Sequence, residues 1–92
     1  MFKSGDKWER GFARWLDEQH VSWSYEPCVL LLSNGRRYVP DFWVEEWKMF
    51  IELKGTHLDV GKAELARADG YNLVLLYGLD QITDFQEQHA RA

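Results

Sequence analysis

The stretch Tyr38-Val39-Pro40-Asp41-Phe42-Trp43-Val44, followed after a short polar run by Met49-Phe50-Ile51-Glu52-Leu53-Lys54-Gly55, decides how this chain folds. Both segments are rich in β-branched and aromatic residues, which suit a pleated surface. The intervening Glu45-Glu46-Trp47-Lys48 is charged and turn-like, so the simplest reading is a hairpin. Pairing Val44 with Met49 sets Trp43 opposite Phe50, Phe42 opposite Ile51 and Asp41 opposite Glu52. Residues directly opposite on one face have Cβ atoms about 4.5–5.5 Å apart, and two carboxylates at that spacing repel each other. Lys54 lies two residues beyond Glu52 and therefore shares its face. Two arrangements would offset the repulsion. One is an ion-pair network through Lys54. The other is a divalent cation, since Mg²⁺ is commonly held by one or two carboxylates while keeping waters for a phosphate substrate.

Length and composition bound the alternatives. Ninety-two residues form one domain able to build a core, spanning 1–92. A hydrophobic share of 46% with five Trp argues for a folded chain. The net charge of −4 argues against a protein that grips nucleic acid by bulk positive charge but does not exclude nucleic acid, since two bound Mg²⁺ ions would bring the formal balance to zero. The lone cysteine, Cys28, cannot close an internal disulfide and fits a reducing compartment. Met1 to Asp6 contains no apolar run of the signal-peptide kind, and no stretch approaches the ~20 apolar residues that cross a bilayer. A cytoplasmic protein is the expectation, including a phage or mobile-element protein in a host cell.

Taken in order, the chain opens with a helix. Ser4 suits its N-cap and Asp6 its first turn. Trp8, Phe12, Trp15 and Leu16 repeat as a helical apolar face. Lys3, Lys7, Arg10 and Arg14 form a basic stripe nearly opposite, either a solvated face or a phosphate contact. Glu9 borders the apolar face, at the edge of the predicted helix–sheet contact. Trp23 to Glu26 alternates, and Pro27 fits an edge strand or a bend between two short strands. Cys28-Val29-Leu30-Leu31-Leu32 reads as a buried strand, and Asn34-Gly35 as a hairpin turn. Residues 23 to 54 therefore form a three-stranded antiparallel meander. Arg36 and Arg37 flank its turn, as surface charges or as backbone contacts to nucleic acid.

Beyond Gly55, Thr56 or Asp59 is placed to cap a helix over Val60–Asp69, which Gly70 stops. His57, in the loop, is a candidate general base or supporting group, or is simply exposed. Tyr71 to Tyr77 reads as a strand buried on both faces, parallel to 49–54. Gly78 ends it. Asp80 suits the cap of a last helix carrying Ile82, Phe85 and His89, with a frayed tail from Gln88.

Pro40-Asp41 followed by Glu52-Leu53-Lys54 resembles the signature of the PD-(D/E)xK nuclease superfamily, and Glu9 matches its helical glutamate. The order of elements is similar to that superfamily's restriction-endonuclease-like αβββαβ core, an α/β (α+β) fold with a mixed four-stranded sheet flanked by helices. The likeness runs from about Ser4 to Gly78. Ser4-Gly5, Ser24-Tyr25-Glu26, Tyr38 to Phe42 and Ile51 to Gly55 look most like phage endonuclease I-type junction resolvases. Transposon end-cleaving and very-short-patch-type nucleases are similar more distantly.

The resemblance implies a metal-dependent endodeoxyribonuclease with Glu9, Asp41, Glu52 and Lys54 as catalytic residues. It implies a Mg²⁺, with Mn²⁺ as a substitute, on Asp41, Glu52 and the Leu53 carbonyl, with Glu9 helping to hold that ion or a second one. Lys54 would orient the attacking water or stabilise the transition state. DNA is the implied partner, with Lys7, Arg10, Arg14, Arg36 and Arg37 as its candidate contacts. Such resolvases carry more basic surface than this acidic chain, so a homodimer or a module of a larger assembly is expected to supply DNA affinity. The competing class is a non-catalytic nucleic-acid-binding or assembly module that keeps the fold.

Overall fold

The computed structural model of the chain describes residues 7–55 and 60–90, with side chains described from residue 8. Ser4 and Asp6, and the expected loop residues Thr56, His57 and Asp59, lie outside the described residues. The first helix, α1, covers Lys7–Glu18. Its apolar repeat buries Phe12, Ala13 and Leu16 completely or nearly so.

Next come β1 (Trp23–Tyr25), β2 (Leu30–Leu31), β3 (Arg37–Tyr38), β4 (Phe42–Val44) and β5 (Met49–Lys54). The chain then runs through α2 (Gly61–Ala68) and β6 (Leu73–Tyr77) to α3 (Gly78–His89). A mixed four-stranded sheet in the order β1-β4-β5-β6 carries three helices. The β4–β5 pairing is Phe42↔Ile51, Trp43↔Phe50 and Val44↔Met49, the register expected from alternation. β5 and β6 pair in parallel, with Lys54 beside Tyr77.

The expected meander is present in its strand order but is cut into two sheets. Its first arm bends at Glu26-Pro27, where Glu26 adopts a positive φ of 45°. Its second arm bends between β3 and β4, at Pro40-Asp41. Proline cannot donate to a ladder, so the outer halves, β2 and β3, pair separately as a two-stranded hairpin. Gly35, at φ 81°, supplies the left-handed turn residue there, and Asn34 Oδ1 accepts the Arg36 N–H at 3.0 Å.

The side-chain period of two sorts the core into two layers. Phe42, Val44, Ile51, Leu53 and Leu76 face α1 and α3, meeting Phe12, Leu16, Ile82 and Phe85. Phe50, Leu73 and Leu75 face α2, with Leu30, Leu32, Tyr38, Ala63 and Ala66.

Four expectations are corrected in detail. The strand around Cys28–Leu32 is buried on one face only: Leu30 and Leu32 are buried, while Leu31 is 66% and Val29 58% exposed, because the hairpin packs only one face on α2. β6 is buried on neither face throughout, with Val74, Leu75 and Tyr77 half-buried, since it lies at the sheet margin. The N-cap of α2 is Val60, without a side-chain cap bond. Asp80 falls within the first turn of α3, whose N-cap is Tyr77, and Gln88 and His89 remain helical. His89 stacks on Phe85 and packs on Trp47, with ring centroids 3.9 and 4.9 Å apart. No helix among the described residues is long and apolar enough to cross a membrane.

Candidate functional site

The positions that carry chemistry collect at one end of the sheet, where β5 finishes and β4 begins. Antiparallel pairing brings Asp41 there, and parallel pairing adds the end of β6. In open α/β sheets the carboxyl ends of parallel strands are the usual ligand crevice. Asp41 stands just outside β4, where the ladder would continue. Its carboxylate Oδ2 accepts the Leu53 N–H at 2.9 Å, in place of a backbone carbonyl. The Asp41 N–H in turn donates to Glu52 Oε1 at 3.0 Å. Lys54 Nζ lies 3.1 Å from Glu52 Oε2. The facing carboxylates are thus separated by interlocking backbone donors, and Glu52 is joined to one cation. Both are almost completely buried, at 3% exposure for Asp41 and 4% for Glu52.

Glu9 reaches the same end from the other side. It is 2% exposed, far more buried than a boundary carboxylate, because Tyr25 covers it. The Tyr25 hydroxyl donates to Glu9 Oε2. Tyr25 pairs with Phe42, so both lie on the α1 face of the sheet. Asp41, beyond the end of β4, is close enough that its charge, after those of Glu9 and Glu26, helps hold the Tyr25 hydroxyl above its ordinary range. Burial is the largest cause of that upward shift. The backbone closes the corner, with the Glu26 N–H donating to the Asp41 carbonyl at 2.7 Å. Gly55 completes it. A Cβ there would stand 3.0 Å from the Trp8 ring, so glycine lets the first turns of α1 settle against the end of β5.

The α2 face of this corner opens into a cleft of about 300 Å³. Arg37, Lys54 and Lys62 line it, with Glu52 the only carboxylate among the described lining residues. Arg37 therefore stands beside Glu52 and Lys54. Arg36 sits in the exposed β2–β3 turn, and Arg10 and Arg14 are exposed on α1, away from its buried face. The side chain of Lys7 and all of His57 lie outside the described residues. Two participants escaped the sequence reading as individual residues. Tyr25 meets Glu9 across sixteen positions of sequence, and only its alternation in β1 hinted at an inward side chain. Lys62 had no signal beyond its place at the start of a helix.

Among the described residues, no three His, Cys, Asp or Glu converge as a metal-binding group. The two carboxylates that do converge suit a hard cation that keeps several waters, as Mg²⁺ does, and not a closed protein cage. Their bonds to backbone N–H groups are the kind of outer support that orients ligating carboxylates. The donor set therefore fits Mg²⁺. Comparison with family models, curated proteins and solved structures finds no match to the chain.

Proposed function

We propose that this chain is a Mg²⁺-dependent endonuclease that hydrolyses DNA phosphodiester bonds, branched DNA included, on a restriction-endonuclease-like core of the PD-(D/E)xK type. The observation that carries this reading is the interlocked trio at the sheet end: Asp41 on the Leu53 N–H, Glu52 on the Asp41 N–H, and Lys54 on Glu52. Burying two carboxylates is costly unless they are paired or coordinate a metal.

Asp41 and Glu52 would hold the ion. The Leu53 carbonyl is a credible third donor on chemical grounds. A strand residue directs its N–H and C=O to the same neighbour, and continuing the β4–β5 register places Pro40 opposite Leu53, with no N–H to offer. Bound there, the ion supplies an acidified water and shields the phosphate charge. Lys54 holds the attacking water or the charge on the phosphate, and its bond to Glu52 fixes where its ammonium points. Glu9, on the α1 face, supports the site through Tyr25 as an outer carboxylate. Arg10, Arg14, Arg36, Arg37 and Lys7 would contact the DNA backbone, with a second copy of the chain or a larger assembly extending the surface.

Incubation with supercoiled plasmid, linear duplex and a four-way junction, in Mg²⁺ or EDTA, tests the reading. Mg²⁺-dependent nicking that Glu52→Gln abolishes is the expected result. DNA binding without cleavage in Mg²⁺ and Mn²⁺ would instead favour a binding module.

A further inference from the structure

The cleft on the α2 face has a charge imbalance that the metal site does not account for. Lys54 is engaged with Glu52. Arg37 and Lys62, which line the same cleft from β3 and α2, make no ion pair with any described residue. Both line the same cleft of about 300 Å³, which has room for ordered water or a phosphate group. Two surplus cations thus converge on a hollow in a chain whose net charge is −4. Glu52, the one described carboxylate of the lining, is paired with Lys54, and like charges brought together beyond it destabilise each other, whereas a phosphate placed between them satisfies both. Arginine offers it a bidentate fork and lysine a mobile point charge.

We infer that Arg37 and Lys62 form a phosphate clamp that binds a nucleic-acid backbone phosphate next to the one held at Glu52 and Lys54. The inference rests on the endonuclease reading for the neighbouring site, but the clamp is built from different residues. Arg37 comes from β3 and Lys62 from α2, so the strand would run across the cleft where the β2–β3 hairpin meets the second helix. The clamp makes Lys62 a nucleic-acid contact and selects for a polymer, since a mononucleotide cannot occupy both positions.

The test measures anisotropy of a short fluorescein-labelled duplex against salt, with Ca²⁺ replacing Mg²⁺, for the wild type, Arg37→Gln, Lys62→Gln and the double variant. Unlabelled mononucleotide serves as competitor. Each single change should weaken binding and lower the slope of log affinity against log salt by about 0.9, the double change by about 1.8. Lys62→Arg should keep most of the affinity. Melting temperatures should stay within about 4 °C, because neither residue holds the fold. Unchanged affinity and slope in the double variant overturn the clamp, even if the wild type cuts DNA. A mononucleotide that competes as strongly as unlabelled duplex also overturns it, in favour of a free phosphate ligand. A wild type that binds with the expected slopes but never cuts leaves the clamp standing and removes the endonuclease reading. A wild type that binds no DNA removes both.

Discussion

Replacing Asp41 by Ala and by Asn separates what its carboxylate does for the fold from what it does for chemistry. In the folded chain Oδ2 accepts the Leu53 N–H at 2.9 Å in a buried setting. Alanine leaves that N–H without its acceptor, a loss of about 1–3 kcal/mol for a buried donor. Removing one of two neighbouring carboxylates returns part of this, since like charges directly opposite are destabilising by roughly 0.2–1 kcal/mol. The net cost for Asp41→Ala is therefore on the order of 1–2 kcal/mol. At about 4–8 °C per kcal/mol for a domain of this size, its melting temperature should fall by roughly 4–16 °C. Asparagine keeps an oxygen for Leu53 and loses the charge, so its melting temperature should stay near or above that of the wild type. Both variants should lose Mg²⁺-dependent stabilisation, which for the wild type is about 2.7 kcal/mol at a hundredfold excess over Kd. Melting by circular dichroism, with EDTA and with Mg²⁺, reads all of these. Equal melting temperatures for the Ala and Asn variants in EDTA would refute the acceptor role. A full Mg²⁺ shift in both would refute the metal role.

Lys54→Ala should lower single-turnover cleavage by about 10²–10⁴-fold, the range for a positioned proton-transfer or charge-stabilising group. Calorimetry should show Mg²⁺ binding retained or tightened, and a variant that cuts at the wild-type rate removes the catalytic assignment. Tyr25→Phe tests the link to Glu9. Burial, then the bond and charge of Glu9, then Glu26 and Asp41, hold the Tyr25 hydroxyl above its ordinary value near 10. Its contribution to stability is fully present below that value and is lost as pH rises through it towards the folded pKa. The wild type should lose melting temperature more steeply than Tyr25→Phe above about pH 10, and parallel curves would contradict the assignment. Gly55→Ala should cost about 1–3 kcal/mol through overpacking against Trp8. It should also slow cleavage by moving the turn of α1 that bears Glu9, which a single-turnover assay and a melt on one sample would check.

The alternation of the organising segment made its register legible. A one-residue slip would exchange Phe42 and Ile51, both fully buried, for Trp43 and Phe50 on the α1 face. Proline marked both bends, but not their consequence, because composition cannot say whether a strand has a second layer to cover it. Leu31 and Val29 look like core residues in sequence and are exposed for that reason. The pairing of Asp41 with Glu52 was readable as proximity. That each carboxylate would take a backbone N–H, and so remain apart from the other, depended on the ladder ending at Asp41. The burial of Glu9 was not readable at all, since its partner Tyr25 belongs to a strand paired through β4. Lys62 was hidden for a similar reason: where the first turn of α2 returns to the sheet is a property of the crossover, not of its residues.

The same pairing that builds the core also aims the site. Phe42 and Ile51 fix the β4–β5 register from the α1 side, and Trp43 packs on Phe50 from the other, with ring centroids 4.6 Å apart. That register places Asp41 at the Leu53 N–H and Glu52 at the Asp41 N–H, and neither bond survives a shift of one residue. The cost of burying two carboxylates is therefore borne by a hairpin whose apolar contacts admit no alternative alignment. Glu9 is supported differently, on a helix whose Trp8 packs at Gly55, with the Tyr25 phenol among its partners. The carboxylates of the strands accept backbone N–H groups of the hairpin, whereas Glu9 rides on α1. Changes in the packing of Trp8 should consequently alter whatever Glu9 contributes while leaving the geometry of Asp41 and Glu52 intact.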